Sequence, residues 1–195
     1  MVILLNGKAE VTYRKIEITR KTRIMASERL RKWDMYGNFM TVYYSTFIVG
    51  LSIWNFKTNN QAASVFLLIS STVLAILTLW VNSQRFGERS NSFKHHYIEL
   101  ARLSASVQGL PDDCANAELS SIEDTYLLLL GAVENHKECD YLRALRAFNS
   151  NSGCEKFSQP LTCRQKADLF ISTVKELVLV LSLLVLPVIL VLRVL

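Results

Sequence analysis

The sequence predicts an all-α membrane protein: a transmembrane helical hairpin, long cytoplasmic helices and a third, C-terminal transmembrane helix. Three observations carry this. Residues 36–56, 58–84 and 177–192 are without a single charged side chain, and about 20 mostly apolar residues suffice to cross a bilayer. Lys and Arg are concentrated just before the first of these runs, which is the pattern of a segment kept in the cytoplasm. Between and beyond the runs, apolar residues recur at helical rather than strand spacing.

In chain order, residues 1–5 are apolar but too few for a secretory core of about 7–15 residues. The stretch AEVTYRKIEI alternates weakly, as an edge strand or extended arm does. From about Arg20 the pattern turns helical. Ala26, Leu30 and Trp33 make a narrow apolar stripe, with Arg23, Arg29, Arg31 and Lys32 around it. A basic amphipathic helix of this kind lies on an anionic membrane surface before the chain turns in. Residues 1–36 therefore form an N-terminal arm and a membrane-surface helix.

Residues 37–81 form the hairpin, with spans at 37–56 and 62–81. Trp54 and Phe56 mark one interface and Trp80 the other. Residues 1–36 carry nine bases against four acids, the connection NFKTNNQ has one Lys, and Arg85, Arg89 and Lys94 follow the second span. The charge bias places both ends of the hairpin inside and its loop outside. The chain reads as a multi-pass protein of a bacterial inner membrane with a cytoplasmic N-terminus.

Residues 82–175 form a cytoplasmic helical region. The second span continues inward with Phe86, Phe93, Tyr97, Leu100 and Leu103 at helical intervals, and GLPDD at 109–113 breaks it. SSIED then offers a capping box, Ser120 with Glu123 or Ser121 with Asp124, starting a helix that runs to about Phe148. Residues 149–160 read as loop. Thr162 with Gln165 makes a second box, opening a helix that runs into residues 176–195. That segment spans if Glu176 and Arg193 reach the interfaces; otherwise it tucks into the helical bundle. All four cysteines fall in the region placed inside, where they are free thiols.

Two constellations invite a functional reading. On the second span, Ser64, Ser71, Thr78 and Asn82 share a face, and on the first Asn38, Thr41, Ser45 and Ser52 do likewise. Such small polar faces either pack on one another or, in an assembly of several copies, line an aqueous path. Neither face bears a charge, which argues against a proton relay. The second constellation is YLLLLGAVENHKECDY, with His136, Cys139 and Asp140 within one turn. One His and one Cys make a poor metal set, so the segment reads as a polar network. No nucleophile elbow or phosphate-binding glycine loop occurs, and neither catalytic residue, metal nor cofactor is expected. Direct nucleic-acid binding is not expected either.

The order of parts, RIMASERLRKW, then the hairpin, then FKHHYIELARL and YLLLLGAVENHKECDY, resembles the SLATT family, two-span effectors associated with SMODS nucleotidyltransferases and SLOG sensors in bacterial conflict systems. Within it, the subfamily found beside reverse transcriptases is most similar. Ala26, Arg29, Leu30, Tyr97, Leu100, Tyr126, Glu134, Asn135, His136, Asp140 and Tyr141 carry the likeness, over about residues 18–150. The resemblance implies a homo-oligomeric effector that opens pores in the inner membrane. Its trigger would be a sensor partner such as a reverse transcriptase, a nucleotidyltransferase or a nucleotide signal, and cell death or arrest then limits phage spread. The same charge pattern and helices also suit a non-conducting membrane adaptor that recruits a cytoplasmic partner.

Overall fold

A computed structural model describes residues 7–110, 116–150 and 161–194. All its regular structure there is helical: α1 (Gly7–Thr58), α2 (Gln61–Ser83), α3 (Phe86–Gln108), α4 (Asn116–Gly131), α5 (Glu138–Ser150) and α6 (Cys163–Val194). The chain divides into two compact units. One holds residues up to Leu30 with Glu88–Phe170; the other holds Arg31–Gly87 and the chain from Ile171 onward.

In the first unit α1 supplies a buried edge at helical steps. Ala9, Thr12, Ile16, Arg23, Ala26 and Leu30 are all buried. Residues 7–18 are thus helical, not the extended arm that their weak alternation suggests. A short alternating stretch also fits a 3.6 period, and the decision falls to tertiary partners. Those partners lie on α3 and α4: Ile16 and Ala9 form a core with Leu100 and Val107, joined by Leu119, Ile122 and Leu129. A second cluster gathers Leu142, Leu161 and Leu169, with Leu145 against it.

Several helix boundaries differ from the sequence reading. α4 begins at Asn116, so the expected cap at Ser120 or Ser121 is helix interior. The expected single helix to Phe148 is two, α4 and α5, with residues 132–137 between them. α2 does not run on into α3. The Gln84 and Arg85 amides fall back on Val81 and Asn82 in three-residue steps, and Arg85 takes a left-handed φ of 49°. One half of the second capping box is present: the Thr162 amide donates to Gln165 Oε1 at 3.0 Å. Part of GLPDD and of the 149–160 loop, with Cys114 and Cys154, lies outside the described residues.

In the second unit α1 and α2 form an antiparallel pair joined by two residues. Asn59 turns the chain at φ 50°, which Asn tolerates better than most. Asn60 caps α2, its side chain accepting the Ala62 and Ala63 amides. At one end of the pair Asn55 Nδ2 donates to Ser64 Oγ at 2.8 Å; at the other, Gly37 lies against Val81. α1 and α2 therefore stay side by side along the whole of α2. α6 joins α1 through Tyr43 and Tyr44, whose phenols donate to the Leu184 and Leu183 carbonyls.

Among the described residues two helical stretches are long and apolar enough to cross a membrane, one containing α2 and the other Cys163–Pro187 of α6, and only 6% of either apolar window is buried within the chain. A soluble core helix is mostly covered by its own protein; these are not. Residues 37–56 of α1 are not among them, being diluted by hydroxyl and amide side chains. Those hydroxyls are served locally: Thr41, Ser45, Thr46 and Ser52 each donate to the carbonyl four residues back.

A Cβ at Gly37 would stand 2.7 Å from Val81 Cγ1, a stiff β-branched side chain. Gly37→Ala is expected to destabilise the detergent-solubilised protein by about 1–3 kcal/mol through overpacking. Adding Val81→Ala should return most of that loss in the same thermal melt.

Candidate functional site

The first unit is stitched by polar contacts along one edge of α1. Thr12 donates to Glu123 at 2.7 Å and Thr19 meets the Tyr126 hydroxyl at 2.8 Å. One turn on, both Arg23 terminal nitrogens donate to the Leu129 carbonyl at 3.1 Å, and one also to Leu130 at 3.4 Å. Residues on α1 and α4 thus rise together, so the two helices run the same way. The end of α4 has carbonyls with no partner in their own helix and carries partial negative charge; Arg23 answers both. No carboxylate pairs with Arg23 among the described residues. Burial pushes its guanidinium below its ordinary value.

α3 runs opposite to α1. Ser27 and Ser90 each donate to the other's carbonyl, at 3.0 and 2.9 Å, and Gln108 donates to the Tyr13 hydroxyl at 2.8 Å. Paired serines let the backbones come close, and each hydroxyl is satisfied by the other chain segment.

Arg29 makes the strongest link. Its Nε and Nη2 donate to the two Asp140 oxygens at 2.8 and 2.9 Å. Asp140 is fully buried and Arg29 is 9% exposed. Asp140 Oδ2 also accepts the Lys137 amide at 3.2 Å, holding the start of α5. Beside it, Cys139 is pushed up by burial and then by Asp140, so its thiol stays protonated and is a poor nucleophile. His136 is pushed down by burial, with Arg23 adding to the effect and Asp140 opposing it. His96 on α3 is pushed down by burial, then by Arg23 and His95, and its buried Nδ1 has no hydrogen-bond partner among the described residues.

Of the expected network, Tyr126 and Asp140 bind α1 and Glu134 pairs with Arg89 at 2.8 Å. His136 lies within electrostatic reach of Asp140. Asn135 is exposed, and Tyr97 is half-buried on α3. The network therefore fastens α4 and α5 to α1 and the segment between them to α3, rather than forming one cluster of its own. Among the described residues no group of three His, Cys, Asp or Glu could hold a metal ion. The sequence does not single out Thr12, Thr19, Ser27 and Ser90. The available signal was the spacing of short hydroxyls beside the Ala26 and Leu30 edge.

The basic set divides. Arg31 and Lys32 are exposed. Arg23 and Arg29, expected at the membrane surface, instead turn into the protein, because α4 and α5 offer each of them acceptors that lipid headgroups would otherwise supply.

The polar stripes of the second unit lie beside the face that joins the hairpin, not on it. α2 covers Ala63, Leu67, Ser70, Leu74 and Val81, while Ser64, Ser71 and Asn82 stay exposed. On α1, Asn38, Ser45 and Ser52 stay exposed; Thr41 and, on α2, Thr78 are half-buried. At about 100° per residue, each exposed row is offset from its helix's packing face by roughly a quarter turn. The helices are antiparallel, so both offsets lead to the same side of the hairpin. Tyr43, which with Tyr44 holds α6, is rotated to the other side, while Tyr44 lies close to the packing face. The Ser71 and Thr78 hydroxyls donate within α2, and Ser64 alone among the eight reaches the neighbouring helix.

Removing either partner of the buried pair, as in Arg29→Met or Asp140→Leu, is expected to cost about 3–5 kcal/mol in chemical denaturation, and the double change should cost far less, since no charge is left stranded. Stability should also depend on pH. The two histidines have folded values below their unfolded value of about 6.5, so the unfolded chain binds protons first. Their contribution is complete above that value and is lost as pH falls from it through the lower folded values. His96→Gln with His136→Gln should flatten the fall between pH 7 and 5 in thermal melts.

No curated protein and no solved structure matches this chain. A family model does, over residues 5–193, and its description is SMODS and SLOG-associating 2TM effector domain family 5. The match takes in α6 as well as the hairpin and the polar edge of α1. The chain is a membrane effector and belongs to SMODS and SLOG-associating 2TM effector domain family 5.

Proposed function

We propose that the chain is a homo-oligomeric effector of an anti-phage system that permeabilises the bacterial inner membrane once a sensor partner triggers it. Residues 37–81 cross as a hairpin with the N-terminus in the cytoplasm, and α6 crosses as a third helix. The observation that supports this best is the shared exposed side of the hairpin, where Asn38, Ser45, Ser52, Ser64, Ser71 and Asn82 remain uncovered after α1, α2 and α6 have packed. Hydroxyl and amide groups facing hydrocarbon favour partners of their own kind, and in a ring of copies they favour water. Although residues 37–56 are the least apolar of the three segments, their contact with α2 at both ends carries them through whatever α2 crosses. Exposed Arg31 and Lys32 then stand at the cytoplasmic interface, where anionic headgroups attract each by around 1 kcal/mol. Residues 82–175 serve as the assembly and sensing region, and the trigger is a reverse transcriptase, a nucleotidyltransferase or a nucleotide signal.

A second reading, a non-conducting adaptor, draws on α4. Leu127 and Leu128 are 62% and 76% exposed in the unit without a membrane helix pair, as a partner-binding surface would be.

Ser45→Leu with Ser71→Leu separates the two. Both sites are exposed, so insertion and stability should be kept. The effector reading expects depolarisation of triggered cells, followed with a potential-sensitive dye, to be lost. Full depolarisation by the double variant, or none by the parent protein when its genomic neighbours are supplied, contradicts it.

A further inference from the structure

Inside α6 one carbonyl loses its usual donor. Pro187 lies inside α6. It has no N–H to donate to Leu183, four residues back, and its ring crowds that carbonyl. In hydrocarbon no water replaces the missing donor, and an unmet carbonyl is costly. Tyr44 on α1 donates its phenol to Leu183 O at 2.6 Å, and Tyr43 donates to Leu184 O at 3.0 Å. The phenols are held in place by each other and by a neighbour. The Tyr43 and Tyr44 rings meet edge to face with centroids 5.6 Å apart, and Phe39 stacks on Tyr43 at 6.3 Å. The proline removes the usual donor of Leu183 O, which Tyr44 of α1 takes, and Tyr43 adds a bond to the next carbonyl.

We propose that α6 is a strap on the hairpin and that Tyr43 and Tyr44 are its latch. With both phenols on the Leu183 and Leu184 carbonyls, the strap is closed. When they let go, α6 separates from α1 at this turn first, because Pro187 leaves its own ladder weakest there. Water is the natural competitor, since it can bond both the phenol and the carbonyl. The latch is firm while the seam is dry and loosens once the seam is wetted, which apolar packing alone does not do. The proposal stands apart from assembly and conduction, because release of α6 is read on its own backbone.

The test is hydrogen–deuterium exchange of the full chain in detergent micelles. Tyr43→Phe with Tyr44→Phe should speed exchange in the α6 turn around Pro187 by roughly three- to tenfold, the range for a lost bond of this kind, and leave α2 unchanged. Adding Pro187→Ala gives Leu183 an amide donor again and should restore protection. Pro187→Ala with Tyr44→Phe alone is a second variant, in which the lost hydroxyl should have no effect. Unchanged exchange in α6 after loss of both hydroxyls overturns the latch. So does a Tyr44→Phe effect that is equally large with and without Pro187.

Discussion

Arg29 and Asp140 meet where neither can keep its water, and their two parallel hydrogen bonds fix where α5 sits against α1. The same constraint recurs along the chain. Arg23, also buried, takes the carbonyls that end α4, and Ser27 and Ser90 answer each other's backbone. In the second unit, Tyr44 takes the carbonyl that Pro187 leaves without a donor. In each case a polar group finds its partner on another helix. Such bonds add modestly to net stability but cost dearly when half-made, so they select one register among many that apolar packing would accept. α1 carries one member of every pair.

Much of this was legible in the sequence, and the reasons differ by element. The all-helical class, the hairpin around residues 57–61 and the long last helix follow from uncharged runs and period, which are local signals. The Thr162–Gln165 box was readable because both halves of the motif lie within one turn. The break between α4 and α5 was harder to read: Gly131, on which α4 ends, is a lone signal, and residues 132–137 that follow it contain neither proline nor a second glycine. That interruption is held by Arg89 on Glu134 and by Asp140 on the Lys137 amide, one of which is a contact far along the chain. Arg23 and Arg29 illustrate the same limit. By composition they belong to a basic collar, and only the carbonyls of α4 and the carboxylate of Asp140 turn them inward.

The stripes show a subtler limit. Sequence period found the right residues, yet a shift of one position rotates a helix face by about 100°. The row that packs the hairpin and the row left bare are adjacent and similar in composition. Ser70 belongs to the first and Ser71 to the second. Only the partner helix separates them. The bare-row hydroxyls of Ser45, Ser52 and Ser71 turn back on their own helix in the single chain, and the proposed assembly is what would give them other partners.

That shared bare side is the centre of the account, and copy-to-copy cross-linking in native membranes tests it most directly. With a single cysteine placed at Ser45 or Ser71 in a chain otherwise free of cysteine, a short bifunctional reagent should join copies efficiently. A cysteine at Ile53 or Ile69, also exposed but on other faces, should not. Equal joining at all four positions, or joining only at Ile53 and Ile69, would contradict the account.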